Sequence, residues 1–227
     1  MERYQDNNQP LPGNTILIIG AGRFGRRAAQ GLNNGTLGSI IVVDRDPASL
    51  EGIQLPRVKT KVSEGVDFLL RHQGSLNPSD IIVPAVPMHL AFVWLTRYLY
   101  NTYHPSQVPV PEELRSGLPF TWAGKEGSLL VSYADFRCPE DCPEPAHFCT
   151  VTGKRREVPL HGLLGRLKPQ GYGVHIIRSR QLAPGIGGYL AGDLEALLER
   201  VRNGVQKKWL IGTACRCHGT LSAMELH

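Results

Sequence analysis

The stretch Thr15 to Asp46, TILIIGAGRFGRRAAQGLNNGTLGSIIVVDRD, constrains this chain more than any other. It opens with Ile16-Leu17-Ile18-Ile19, an unbroken apolar run rich in β-branched residues, which predicts a strand buried on both faces. Gly20-Ala21-Gly22-Arg23-Phe24-Gly25 follows as a G-x-G-x-x-G, and Phe24, Ala28, Ala29 and Leu32 then recur at helical spacing. A second apolar run, Ile40-Ile41-Val42-Val43, ends in Asp44. A glycine hexamer alone is common. One with a strand before it, a helix after it and an acid roughly 20 residues on, at the end of a second strand, points to dinucleotide binding.

Each residue has a physical reason to be there. Gly20 permits the tight turn, Gly22 lets a pyrophosphate approach the backbone, and Gly25 lets the helix pack close to the strand. The helix start around Arg23 and Phe24 offers unpaired N–H groups and the positive end of a dipole to the phosphates. Asp44 is placed to accept the ribose hydroxyls. An acid there repels a 2′-phosphate, so the expected cofactor is NAD rather than NADP; Arg45 and Arg23 are the residues through which a 2′-phosphate would be accommodated.

Gly20 to Asp46 resembles the Rossmann domain. In detail, IIGAGRFGRRAA…IIVVDRDP is similar to the NAD-binding regulatory domains of potassium channels and transporters, the RCK type. The resemblance is confined to the N-terminal part and speaks for dinucleotide binding, not for an activity. It implies a regulatory role in potassium transport as one function, with the channel or transporter a separate subunit.

Composition narrows the class. At 227 residues, 41% hydrophobic and 20% charged, the chain has the makings of one large or two small globular domains. A net charge of +5 permits nucleic-acid or membrane contact without demanding it. The start, MERYQDNNQPLPGN, is polar and lacks the apolar core of a signal peptide, and residues 1–14 read as a frayed leader. The longest uncharged apolar stretch, Ile81 to Leu95, is interrupted by Pro84 and Pro87 and is too short to span a bilayer. The expectation is a cytoplasmic protein with no membrane span.

Further along, Val58–Val62 predicts a third strand, Glu64–His72 a helix and Ile81–Val83 a fourth strand, which makes a parallel sheet with helical crossovers. Pro84 and Ala85 close that fourth strand, at the switch point where a cofactor crosses the sheet. His89 follows, either as a catalytic candidate near the nicotinamide or simply as the start of the next helix. Met88–Tyr103 is apolar almost all round, so it is expected between the two halves or at a dimer contact. Pro105, Pro109, Pro111 and Pro119 mark a connection. The expected organisation is a Rossmann domain at 1–103, a Pro-rich connection at 104–127 and an α+β part at 128–227, with Leu129–Asp135 a strand that would extend the first sheet. Overall this is an α/β chain: a Rossmann-like parallel sheet with a C-terminal α+β extension.

All five cysteines fall in two knots, Cys138, Cys142 and Cys149 in CPEDCPEPAHFC, and Cys215 and Cys217 in ACRCHG. In a cytosolic chain such clustering favours metal or redox chemistry over structural disulfides. Three thiolates from the first knot and one from the second would complete a zinc or iron–sulfur site, with His147 and His218 as alternative ligands. No spacing is C-x-x-C, and buried thiols, a reversible disulfide or a reactive thiol are the other readings. Between the knots, Lys154, Arg155, Arg156, Arg166, Lys168, Arg178 and Arg180 face the single acid Glu157. That is a solvated basic face or a cradle for a small anionic substrate; nucleic acid is not expected, because no binding motif accompanies the charge. Tyr172–Ile177 and Trp209–Thr213 read as strands, Pro184–Gly188 as a loop, and Asp193–Asn203 as an amphipathic helix. Three functions follow from these features: an NAD-dependent oxidoreductase on a small substrate, an NAD(H)-sensing regulatory protein, and a metal or redox protein built on the cysteines.

Overall fold

The computed structural model describes residues 15–34 and 38–227; the leader expected at residues 1–14 lies outside them. The glycine stretch folds as β1 (Ile16–Ile19), α1 (Arg23–Asn33) and β2 (Ile40–Asp44). Asp46 then caps α2 (Pro47–Leu50): its carboxylate accepts from the Ala48 amide at 3.1 Å, and Pro47 supplies the first helical φ. β3 (Val58–Val62), α3 (Gly65–His72), β4 (Ile81–Pro84) and α4 (Leu90–Tyr103) complete the N-terminal part. β5 (Ser106–Val108), β6 (Phe120–Ala123), β7 (Leu129–Ser132) and α5 (Leu160–Leu164) come next. The chain ends with β8 (Tyr172–Arg178), β9 (Arg180–Ala183), β10 (Ile186–Leu190), α6 (Ala191–Arg202), β11 (Lys208–Ala214) and β12 (His218–Glu225).

Two six-membered sets of strands result. The first sheet runs β3-β2-β1-β4-β10-β9, with β1 to β4 parallel and the β9–β10 hairpin antiparallel at the edge. The second runs β6-β7-β12-β11-β8, with β5 also on β12. Leu129–Ser132 therefore does not extend the first sheet, as its apolar run suggests; it pairs with β12 and β6. The place beside β4 is taken by β10, where Tyr189 faces Ile82 and Leu190 faces Ile81. Gly188 allows that approach, since a Cβ there would lie 2.8 Å from the Ile82 carbonyl oxygen. The stretch Pro184–Gly188, read from sequence as a loop, is thus a hairpin turn at Pro184-Gly185 followed by a sheet strand. Trp209–Thr213 lies in the second sheet, parallel to β8 and antiparallel to β12.

The period-two alternation of β1 splits two cores. Ile16 and Ile18 pack under α1 with Ala28, Ala29 and Leu32. Leu17 and Ile19 face the other way, into a core shared with α3, α4, α6 and one face of the second sheet through Trp209, Ile211 and Met224. α4 is the filling of this sandwich: Leu90, Phe92, Trp94, Leu95 and Leu99 are all buried, which leaves only a narrow polar strip at Arg97, Asn101 and Thr102. Each such side chain contributes about 1.5–3 kcal/mol on burial. The far side of the second sheet is closed by α5, with Leu160 and Leu164 on Leu210 and Leu221. The order of layers is α1, first sheet, the layer of α3, α4 and α6, second sheet, α5.

Candidate functional site: the glycine turn and the cavity beside it

Gly20 sits at φ +105, in a region that only glycine enters freely, and a Cβ there would lie 2.6 Å from the Ala85 carbonyl oxygen. A Cβ on Gly25 would fall inside the van der Waals shell of the Gly20 carbonyl oxygen. These two glycines therefore serve the turn and the close seating of α1. Gly22 differs: nothing lies within 4 Å of where its Cβ would be. The space above it is open, and that is the space a pyrophosphate would fill. No acid stands in the first turn of α1 and no side chain caps it, so the amides there remain available to an anion.

Asp44 is fixed at the edge of this turn. Its two oxygens accept from the Ala21 amide at 2.7 Å and the Asp46 amide at 2.9 Å. Each oxygen keeps a second lone pair, so the carboxylate can still accept ribose hydroxyls while the backbone holds its orientation. On the other flank the Ala85 amide donates to Ile19 at 2.8 Å and Pro84 stands opposite Ile19, which places the end of β4 against the glycine turn. Gly20, Gly22, Gly25, Asp44, Pro84 and Ala85 thus form one continuous edge. Arg23 begins α1 and points to Glu140 of the cysteine-rich segment, at 2.7 Å, with Arg27 reaching the same carboxylate at 3.7 Å. Phe24 is more than half exposed, and Arg45 is exposed beside Asp44.

A cavity of about 920 Å³ opens next to this edge. Phe24 from the glycine motif and Gly185 to Gly187 of the β9–β10 hairpin line it together with a wall made of Tyr133, the cysteines and His218. Lys154, Arg155 and Arg156 also line it, whereas Arg180 is withdrawn into a 2.8 Å pair with Asp193. The two cysteine knots, far apart in sequence, meet on this wall: all five cysteines line the cavity and none is in a disulfide.

The sulfurs occupy unlike surroundings. Burial raises the Cys138 thiol above its ordinary range, reinforced by the nearby charges of Cys142 and Cys149. Cys138 Sγ lies 3.4 Å from Nε2 of His218. Cys149 shifts the other way, because its sulfur receives the Thr152 hydroxyl and the amides of Thr152 and Val151. Burial pushes Cys217 up to about 12, opposed by Arg156, whose guanidinium touches the Cys217 sulfur. Cys215 is raised furthest, first by burial and then by Glu144, to which its thiol is hydrogen-bonded. Among the described residues no group of three or more His, Cys, Asp and Glu side chains is placed so that it could hold a metal ion, so the arrangement the sequence suggested for the cysteines is not assembled here. His147 is exposed and is not among the residues that line the cavity.

His89 lies elsewhere. It precedes α4, and its ring is buried between the sheets, with Nδ1 2.9 Å from the Ser222 hydroxyl and Nε2 3.1 Å from the Thr213 hydroxyl. Burial lowers its pKa to about 3, so the ring is neutral at physiological pH. It borders a smaller cavity of about 370 Å³ with Val86 and Pro87. Three features of the site were not legible in sequence: the reach of Glu140 to α1, the insertion of Arg156 among the sulfurs, and the β9–β10 wall. Ser and Thr partners for a lone histidine give no sequence signal at all, since they come from strands far along the chain.

Comparisons with known proteins match two stretches of the chain. Residues 16–69 match the TrkA-N domain, and they form an NAD-binding domain of Rossmann-like, RCK type. Residues 91–227 match a family model described as "Uncharacterized protein, C-terminal domain". A protein of Archaeoglobus fulgidus that bears the name "Uncharacterized protein" is 30% identical over 225 residues, covering 92% of this chain and 98% of its own. A solved structure from Thermoplasma acidophilum, described only provisionally as a methyltransferase, aligns with 60% of this chain and 62% of its own, at 16% identity and a TM-score of 0.29; so slight a likeness carries no argument. Among the described residues no helix is long and apolar enough to cross a membrane. From the match over residues 91–227 and the full-length archaeal relative, the chain belongs to the family described by that C-terminal domain, carried here behind an N-terminal TrkA-N domain.

Proposed function

We propose that the protein is an oxidoreductase that binds NAD(H) along the Gly20–Asp44 edge and a small anionic substrate in the adjoining cavity. The observation that supports this reading is the sharing of walls. Phe24 belongs to the glycine motif and also lines the cavity, and Ile186 continues the sheet beyond β4 on the same side. A dinucleotide crossing the carboxyl ends of β1 and β4 would end beside a space large enough for a metabolite. Lys154, Arg155 and Arg156 supply the charge for an anion there. The chain's own part in the chemistry is to orient the cofactor through Asp44 and the α1 amides and to shield the cavity from water. His89 is assigned a structural role in this scheme: both its nitrogens are engaged and burial holds it neutral.

A second reading, an NAD(H)-sensing regulatory protein, is favoured by one contact. Arg23 stands where phosphates would bind and is held by Glu140 of the cysteine-rich segment. A pyrophosphate would compete for that arginine and so report its arrival to the second half.

Calorimetric titration with NADH, NAD⁺ and NADPH tests the shared premise; heat from NADH and little from NADPH is expected, and no heat from any of them removes both readings. Nicotinamide absorbance followed across a panel of small carboxylates and phosphates then separates the two. Turnover supports the oxidoreductase. Absence of turnover together with a cofactor-dependent change in sedimentation, including any homodimer, supports the sensor.

A further inference from the structure

Residues 135–159 join β7 to α5 with no helix or strand and without one buried side chain. An isolated bridge between Phe148 and Arg155 is the nearest they come to regular pairing. Long irregular segments of this kind inside a compact domain are uncommon, and chain lengths too small to bury a core are ordinarily stapled by disulfides or metal. The segment nevertheless follows a defined path: Cys142 carries a carbonyl that accepts from Gly185 at 3.1 Å and from Gln181 Nε2 at 2.6 Å, and Glu140 reaches α1. A segment with no core and no disulfide needs another source of cohesion.

Arg156 supplies part of it, donating to the carbonyls of Pro145 and Phe148 and touching the Cys217 sulfur, and the cysteines gather around the same cavity. Cys138, Cys142, Cys149 and Cys217 all line the one cavity, and His218, next in sequence to Cys217, brings its Nε2 to 3.4 Å from Cys138 Sγ. Three of these sulfurs ride on the irregular segment. The fourth stands one residue ahead of β12, where the Cys217 carbonyl accepts from the Tyr133 amide at 2.9 Å, so it is anchored to the second sheet. Cys149 already collects the Thr152 hydroxyl and two backbone amides, which orient its sulfur as an acceptor. Cys215 is set apart by Glu144, to which its thiol is hydrogen-bonded, so it already has a carboxylate partner.

We propose that Cys138, Cys142, Cys149 and Cys217 bind one zinc ion as a tetrahedral thiolate site that pins residues 135–159 to the second sheet. This inference does not rest on dinucleotide binding. As they stand, no three of these side chains are placed to hold a metal ion. Cysteine has a single side-chain torsion, and turning Sγ about Cα–Cβ at each position, with the Arg156 guanidinium withdrawn from Cys217, is the rearrangement required. Four S–H protons pass to solvent as four zinc–sulfur bonds form, and no electron changes hands. The resulting site is anionic, and Lys154, Arg155 and Arg156 on the same wall balance it.

The test begins with the full chain purified without chelator or immobilised metal. Mass spectrometry is expected to find about one zinc per chain. Cobalt(II) added to the reduced, metal-stripped protein should give sulfur-to-metal charge transfer and the intense visible bands of a tetrahedral thiolate site, displaced by zinc. Cys138→Ser, Cys142→Ser, Cys149→Ser and Cys217→Ser should each weaken cobalt binding at least tenfold, while Cys215→Ser keeps the spectrum. Reduced protein with every thiol titratable and no cobalt–thiolate band would overturn the proposal; because that measurement uses the natural sequence, a variant that fails to fold does not obscure it. Iron with equal sulfide in the purified protein would replace zinc by a cluster, and loss of the spectrum in Cys215→Ser but not Cys217→Ser would refute the ligand set.

Discussion

The glycine turn and the cysteine-rich segment line one cavity and are built by opposite means. The turn is made of backbone. Gly20 and Gly25 are there because a Cβ would collide, and Asp44 is held by two amides. Its neighbours Ile19, Ala21 and Val83 are buried, so its geometry follows from the sheet. The segment at 135–159 is made of side chains. It has no fully buried side chain of its own and depends on contacts between sulfurs, arginines and carboxylates that lie far apart in sequence. A site of the first kind is specified wherever its sheet forms. A site of the second kind exists only once distant elements have come together.

The largest effect that separates them is expected at Gly25. Gly25→Ala forces α1 off the Gly20 carbonyl and should destabilise the protein by about 3 kcal/mol or more, read as a fall in Tm with loss of cofactor binding. A variant with an unchanged Tm would show that the turn is softer than its packing implies. Gly22→Val is the counterpart. Its Cβ meets nothing, so stability should change by roughly 0.5 kcal/mol or less, yet NADH affinity should fall at least about tenfold, about 1.4 kcal/mol, because the added side chain fills the phosphate space. Equal NADH affinity in this variant by calorimetry would remove the pyrophosphate from above Gly22.

The junction between the two halves gives the next test. Folding lowers the His89 pKa to about 3 from an ordinary value near 6.5, so the unfolded chain takes up its proton first as the pH falls. Stability contributed by the neutral ring is present above about pH 6.5 and is lost as the pH drops toward 3. Tm measured between neutral and mildly acidic pH should therefore decline more steeply in the natural protein than in His89→Gln, which keeps a polar side chain between Ser222 and Thr213. Parallel curves would show that another group carries the acid sensitivity. Asp44→Asn removes a charge and keeps an acceptor, and should move the preference between NADH and NADPH about tenfold toward NADPH in paired titrations. The smallest effect belongs to Glu140→Gln. Its pairs with Arg23 and Arg27 are largely exposed, so stability should shift by less than about 1 kcal/mol, while NADH binds slightly tighter because Arg23 is released. Weaker binding would mean that Glu140 positions Arg23 rather than competing for it.

The first sheet was legible because its signals are local. Ile16–Ile19, Ile40–Val43 and Val58–Val62 announce strands by composition, and the glycines and Asp44 announce their ligand by spacing. The hairpin β9–β10 was not legible, because Gly187 and Gly188 weaken any strand signal and the edge that accepts them, on β4, is about a hundred residues away. The run Leu129–Ser132 shows the converse: its sequence says strand but cannot say which sheet, and the edge beside β4 was already filled. His89 was visible as a histidine after a strand. Only Ser222 and Thr213, brought in by β12 and β11, turn it into a buried, neutral link between sheets.

By itself, then, the sequence determined the turn and its edge, since steric limits at Gly20 and Gly25 and the period of two in β1 act within a few residues. The tertiary structure decided that the two cysteine knots share one wall, that Arg156 stands among their sulfurs, and that the cavity begins at Phe24. Those facts depend on the pairing of β12 with β7 and of β10 with β4, contacts between segments far apart in sequence, whose closure no local pattern encodes.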